Sequence, residues 1–350
     1  MVIWQQHKGS PKEWDDHMED LSGSFYQTYG WGEARNSVGW KALRMLAFEG
    51  ESIISAISIL VKRKAGIGAL WIPGGPAGRV DILNADFITS LRRELRMKFF
   101  YCRINSLRIQ DEKDVASISN LGWTRPKVSM TSGFTMTYSL NGNSLERLKR
   151  TSSNWRHNLK RSGRYGLKIE KWDRPDITQI YRLYKEMETL KSLPEQFSVA
   201  ELTAIFRNCF DRIVVFRCLD AEGELLAFRA VGFCGASAID LLAAAGESAR
   251  KVYASHATLW GLLDHCCYLG LLHYDLGGVD PLHNKGVYDF KHGTGASLTH
   301  YLGEWEYASL PGLCWAFNFL FAKKWTSHST VDKRKPQFEA RSNASGLTPP

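Results

Sequence analysis

Between Leu271 and Ala296 the chain leaves a short apolar run at Gly277-Gly278, passes through a brief helical pattern carrying Phe290 and Lys291, and is stopped again by Gly293 and Gly295. Paired glycines permit backbone angles that a Cβ forbids, so the apolar run Leu271–Leu276 reads as a buried strand ending in a built turn. The later glycines end the short helix before a new strand starts at Ala296. Strand, glycine turn, short helix and glycine-bounded strand together open a crevice at a sheet edge, and the rest of the chain must supply that sheet.

It does so with mixed α/β patterning. Pro11 to Leu21 reads as an amphipathic helix behind Ser10 as N-cap, with Trp14, Met18 and Leu21 on one side. Strands are expected at 41–48, 52–62 and 67–72, followed by the glycine-rich loop Pro73-Gly-Gly-Pro-Ala-Gly78, a helix at 83–97, a strand at 99–105, a helix near 111–120 and a strand near 129–140. Asn141-Gly-Asn143 is the expected domain boundary, because Asn143 with Glu146 three residues on is a capping pattern. After it come a long helix at 143–164, a strand at 167–172, helices at 176–190 and 198–210, a meander at 212–219, 224–233 and 237–245, and a helix at 257–269. The second half repeats the first in outline. An apolar helix is expected at 310–325 and a disordered polar tail at 326–350.

Composition narrows the class. At 350 residues, 44% hydrophobic and 23% charged, the chain has material for two soluble cores. It has no apolar run of the roughly eighteen residues that a membrane span needs, and its N-terminus is too polar for a secretion signal, so a cytoplasmic protein is expected. Seven cysteines without metal spacing fit reduced core thiols, and His273, His283 and His292 form no metal pattern; no metal is expected. The net charge of +9 points to polyanionic partners. It is concentrated in Arg147, Lys149, Arg150, Arg156, Lys160, Arg161 and Arg164, with no acid between Arg147 and Arg164 after Glu146. A helix of one sign that must repel itself is suited to an anion such as RNA. Tyr29 and Trp31 stand about one turn from Arg35, and a cation beside aromatics can hold a phosphate or nucleotide ring.

Four patches in order, Phe25-Tyr-Gln-Thr-Tyr-Gly-Trp-Gly-Glu-Ala-Arg35, Pro73-Gly-Gly-Pro-Ala77, Trp155-Arg-His-Asn-Leu-Lys-Arg-Ser-Gly-Arg-Tyr-Gly166 and Tyr274-Asp-Leu-Gly-Gly278 with Gly286-Val-Tyr-Asp-Phe-Lys291, resemble the Fem family of transferases and the wider acyltransferases with tandem GNAT-like domains. The resemblance implies an α/β chain of two GNAT-like domains, 1–142 and 143–325, without the coiled-coil arm of some members. It implies an acyltransferase that moves an aminoacyl group from aminoacyl-tRNA to an amine on a nucleotide- or lipid-linked cell-envelope precursor, with no bound cofactor. Such a protein is expected to act as a monomer, in the cytoplasm or in peripheral contact with the inner membrane face. Arg35 would then contact an acceptor diphosphate, beside Trp31 and the Gly74-Gly75 and Gly277-Gly278 loops, and Lys291 after Phe290 would serve the aminoacyl end. A second phosphate-binding residue has no clear counterpart, Lys191 being the nearest base. Arg156, Lys160, Arg161 and Arg164 are the expected tRNA contacts.

Two alternatives remain. Acyl-coenzyme A is the rival donor, but the stretch Gly246-Glu-Ser-Ala-Arg-Lys-Val-Tyr-Ala-Ser255, with Tyr253 as a candidate substrate contact, lacks the second glycine of a pyrophosphate cradle. A non-catalytic RNA-binding protein would use the basic helix alone. Asp275 is both a candidate general base and a candidate cap of its own Gly-Gly turn.

Overall fold

The computed structural model describes residues 2–328. The N-terminal half runs β1 (Val2–Gln6), α1 (Pro11–Asp20), α2 (Tyr29–Ala34), β2 (Lys41–Glu49), β3 (Ser52–Lys64), β4 (Ile67–Pro73), β5 (Ala77–Gly78), α3 (Ala85–Leu95), β6 (Phe99–Ile109), α4 (Glu112–Asn120) and β7 (Phe134–Ser139). The C-terminal half runs α5 (Ser144–Arg150), α6 (Ser153–Ser162), β8 (Lys168–Lys171), α7 (Ile177–Leu190), α8 (Val199–Asn208), β9 (Ile213–Leu219), β10 (Leu225–Cys234), β11 (Ser237–Ala245), α9 (Glu247–Lys251), α10 (Ala254–Tyr268), β12 (His273–Gly278), α11 (Lys285–His292), β13 (Ser297–Ala308) and α12 (Pro311–His328). Local signals act as expected at the helix starts. Ser10 and Glu13 close a reciprocal capping box on α1, and Asn143 and Glu146 do the same on α5.

One feature of the long basic segment differs from expectation. It is two helices, broken at Thr151-Ser152: Ser152 caps α6 by accepting the Trp155 N–H at 3.3 Å, and its own N–H donates to Gly293 O at 2.8 Å. Ser and Thr offer the backbone alternative partners, and here the alternative ties the break to the end of α11. The C-terminal helix extends past 325 to His328, and residues 329–350 of the expected tail lie outside the described residues.

Thirteen strands form one sheet in the order β1-β2-β3-β4-β6-β13-β7-β12-β11-β10-β9-β8, with β5 against β3. β13 joins the halves. Its residues Ser297–His300 pair with β7, and from Tyr301 to Ala308 it pairs with β6. The two cores therefore do not divide at 142/143. β7 packs in the C-terminal core through Met136 and Tyr138, while Leu302 and Trp305 of β13 pack in the N-terminal core with Trp4, Phe87 and Trp123.

The two parallel strand pairs behave differently. β4 pairs with β6 along the whole of Ile67–Pro73, whereas β11 and β12 pair only from Ser237/His273 to Ile239/Asp275. Past that point the C-terminal half opens, and the N-terminal half does not. Where β13 changes partners, Arg103 Nη2 of β6 meets Glu304 Oε2 at 2.5 Å, with side chains 1% and 3% exposed. Glu304 Oε1 also accepts the amides of Met130 at 2.8 Å and Thr131 at 2.6 Å. Breaking a buried pair strands the surviving charge, so Arg103→Leu should cost about 3–5 kcal/mol of stability in urea unfolding. A loss below about 1 kcal/mol would mean that water reaches Glu304.

Candidate functional site

The site begins where β11 and β12 part. Gly277 adopts φ 80°, reserved in practice for glycine, and turns the chain so that its carbonyl and that of Gly278 face α11. Lys291, in the last turn of α11, donates to both carbonyls, at 3.0 Å to Gly277 O and 2.9 Å to Gly278 O. Two of the three ammonium protons are thereby engaged by these carbonyls. Burial lowers the Lys291 pKa to about 8; the nearby Arg229 and Lys191 charges add to the lowering, and Asp240 and Asp275 oppose it.

Asp275 braces this turn. Its Oδ1 accepts the Gly277 N–H at 2.8 Å and the Thr135 hydroxyl, and its Oδ2 accepts the Tyr301 hydroxyl at 2.8 Å. Burial raises its pKa, against the pull of those donors and of Lys291. With three donors on its two oxygens, the carboxylate acts as the cap of the Gly-Gly turn and a tie between β12, β7 and β13. Beside it, Asp240 Oδ2 meets Arg229 Nη1 at 2.5 Å, while its Oδ1 accepts the Tyr274 hydroxyl at 2.9 Å. Desolvation raises the Asp240 pKa, and Arg229 and then Lys291 hold it down.

Arg229 and Asp240 were missed by sequence reasoning. A signal existed: each is the lone charge inside an otherwise apolar strand, Leu225–Cys234 and Ser237–Ala245. Lys191 also belongs to this neighbourhood, since burial, Arg250 and Arg229 all lower its pKa.

Phe290 has a packing role. Its ring lies 6.2 Å from Trp155 and 5.0 Å from His256, with the Arg229 guanidinium 5.8 Å from its centroid. This aromatic knot holds α11 against α6 and α10, and burial in it lowers His256 to about 4. Of the basic residues, Arg147 is buried on Asp264, and Arg156 donates to Thr151 O at 3.2 Å. Lys160, Arg161 and Arg164 are exposed, and Arg161 Nη1 donates to the Tyr253 hydroxyl at 2.8 Å. That bond joins the basic face of α6 to the start of α10.

The other expected residues lie apart from Lys291 or are already committed. Arg35 faces Glu201 of α8 at 3.4 Å, both side chains mostly buried, so its charge ties the two halves of the chain instead of waiting for a diphosphate. Trp31 packs with Phe25 at 5.6 Å and Tyr26 at 4.9 Å. Gly74 and Gly75 make no open cradle: a Cβ on Gly74 would stand 2.1 Å from Ser24 Oγ, and one on Gly75 2.5 Å from Gln27 Cδ. The loop is closely packed under the 24–27 turn.

A parting pair of parallel strands with an oriented, partly desolvated cation at the gap is an arrangement chemically able to polarise a carbonyl group. Residues 147–292 match the family model of the GNAT acetyltransferase domain. The fold is that of FemX, with TM-score 0.79 at 15% identity over 89% of this chain and 99% of that one. L-PGS from Bacillus licheniformis follows with TM-score 0.53, 14% identity and coverage of 91% and 98%. A tandem GNAT protein from the clavulanic acid biosynthesis pathway gives 0.52, 13%, 89% and 99%. None of the curated proteins matches in sequence. The chain is a GNAT-fold acyltransferase with a Fem-like tandem architecture.

The buried lysine has a thermodynamic consequence. With a folded pKa of about 8 against an ordinary 10.5, the ammonium lowers stability below pH 8, and that penalty fades as pH rises toward 10.5. Lys291→Met should therefore be more stable than the parent at pH 7, by on the order of 2 kcal/mol, with the gap closing toward pH 10. A variant equally stable at both pH values would show that Lys291 is fully solvated.

Proposed function

We propose that the chain transfers an aminoacyl group from aminoacyl-tRNA to an amine of a cell-envelope precursor. The observation that carries the reading is the Lys291 ammonium, held by the Gly277 and Gly278 carbonyls beside the parted strands. An amine attacking an activated ester needs orientation and a partner for the developing oxyanion more than it needs an enzyme nucleophile. The new C–N bond forms as the ester C–O bond breaks, and the proton lost by the amine passes to the departing ribose oxygen. Lys291 supplies the positive charge while it remains protonated.

The donor follows from the surroundings. The basic face of α6 leads to this point, since Ser152 at its start is bonded to Gly293 and Trp155 packs against Phe290. A polyanion lying on Lys160, Arg161 and Arg164 would end near Lys291. Against coenzyme A, the turn after β11 already holds a carboxylate: Glu186 Oε1 accepts the Glu247 N–H at 3.2 Å. An acid at those amides repels a pyrophosphate. The Fem resemblance and the L-PGS likeness in fold favour the same donor class and an envelope acceptor.

The test is to incubate the protein with charged total tRNA or with acetyl-coenzyme A, plus a cell extract, and follow acid-stable label. Label should pass from tRNA; transfer from acetyl-coenzyme A alone would move the reading to that donor, and RNA binding without transfer from either would overturn it. Lys291→Met should lower kcat about 100-fold, and wild-type kcat should fall as pH rises through about 8, where the ammonium is lost. Retention of more than half the parental kcat would remove Lys291 from the chemistry. Replacing Lys160, Arg161 and Arg164 by Gln should flatten the salt dependence of tRNA binding, by roughly one unit of log–log slope per lost phosphate contact. An unchanged slope in the folded variant would make that face mere solvated surface.

A further inference from the structure

Helix α12 is apolar on both sides although only one side is covered. Inward, Phe317 stacks on Tyr101 at 4.3 Å, and the buried Asn318 donates to Glu306 Oε2 at 2.8 Å. Outward, Trp315 is 67% exposed and Phe319 and Leu320 are each 56% exposed, with the Trp315 and Phe319 rings stacked at 5.8 Å. A helix that is hydrophobic all round belongs inside something.

Charge identifies the cover. From Lys323 to Pro350 the sequence holds six basic residues against two acidic, clustered as Lys323-Lys324 and Lys333-Arg-Lys335. A second copy seated on this face would bring like charges together on a chain already at +9. The remaining sequence, 329–350, offers only Val331, Phe338 and Leu347 as large apolar side chains, too few and too scattered to blanket the face. Trp and Phe beside lysines are the composition of an interfacial helix on an anionic leaflet. No described helix is long and apolar enough to cross a membrane, so the helix would lie on the leaflet rather than span it.

We propose that the Trp315–Phe319–Leu320 face of α12 docks on an anionic lipid surface. The placement has a use. Asn318 Oδ1 accepts the Val128 N–H at 2.9 Å, and the loop holding Val128 lines a cavity of about 200 Å³ through Pro126, Ser129 and Thr131, with Tyr301 opposite. Tyr301 donates to Asp275. A docked α12 would hold this cavity, which Tyr301 links to Asp275 beside Lys291, next to the headgroup layer where a lipid-linked amine would arrive.

The experiment is sedimentation of the full chain with phosphatidylcholine vesicles, with and without about a third phosphatidylglycerol. The protein should sediment with the anionic vesicles, and less so in high salt. Trp315→Ser with Phe319→Ser should weaken this about tenfold at unchanged Tm, because both side chains are more than half exposed. Trp315→Phe should retain most of the binding, and Lys323→Gln with Lys324→Gln should weaken only the anionic arm. No sedimentation, equal sedimentation by the serine variant, or a parental dimer by light scattering that the serine variant abolishes would each overturn the proposal. The readout contains no donor, so its failure leaves the transferase reading standing.

Discussion

Everything at the site hangs on β13, a strand hydrogen-bonded to β7 over Ser297–His300 and to β6 from Tyr301 onward. At the changeover its register shifts between Tyr301 and Gly303, and Gly303 takes φ 67°. Tyr301 is left at the joint, where its hydroxyl reaches Asp275. The Arg103–Glu304 pair sits three residues on, sealing the joint from the N-terminal side. The crevice is thus braced by both cores, although Lys291, Arg229, Asp240 and Asp275 come from the C-terminal one.

The crevice holds more charge than a core tolerates, and it stays balanced because the charges are interleaved. Arg229 and Asp240 pair at close range, Asp275 is satisfied by three donors, and Lys291 sits between the two carboxylates. Removing either member of the Arg229–Asp240 pair leaves the other uncompensated in a low-dielectric place. Burial lowers the lysine while the two carboxylates oppose that lowering, which leaves it mostly protonated near neutrality, a state suited to donating to an oxyanion.

The elements were largely legible because strands and capped helices announce themselves locally: β2, β3 and β4 by their apolar runs, α1 and α5 by capping boxes. The Gly277-Gly278 turn was legible for the same reason, since the glycines that shape it stand next to one another in sequence, whereas Lys291 was singled out by the Fem resemblance. Long-range pairings were not legible. Nothing local links Arg35 to Glu201, so a cation beside Trp31 reads equally as a waiting phosphate contact. Gly74-Gly75 misled because glycine serves a ligand cradle and a close-packed turn alike, and Ser24 and Gln27 fill the space here. The break at Thr151-Ser152 depended on Gly293, a partner in a different element.

A strand laddered into both halves also fixes how substrates come and go. Swinging one half away from the other would tear the β13 pairing and separate Arg35 from Glu201. Such a molecule does not close over its ligands like a clamshell. Its selectivity must reside in a rigid, preformed mould, with α11 and Lys291 held in place by the Phe290 packing and the Ser152–Gly293 bond.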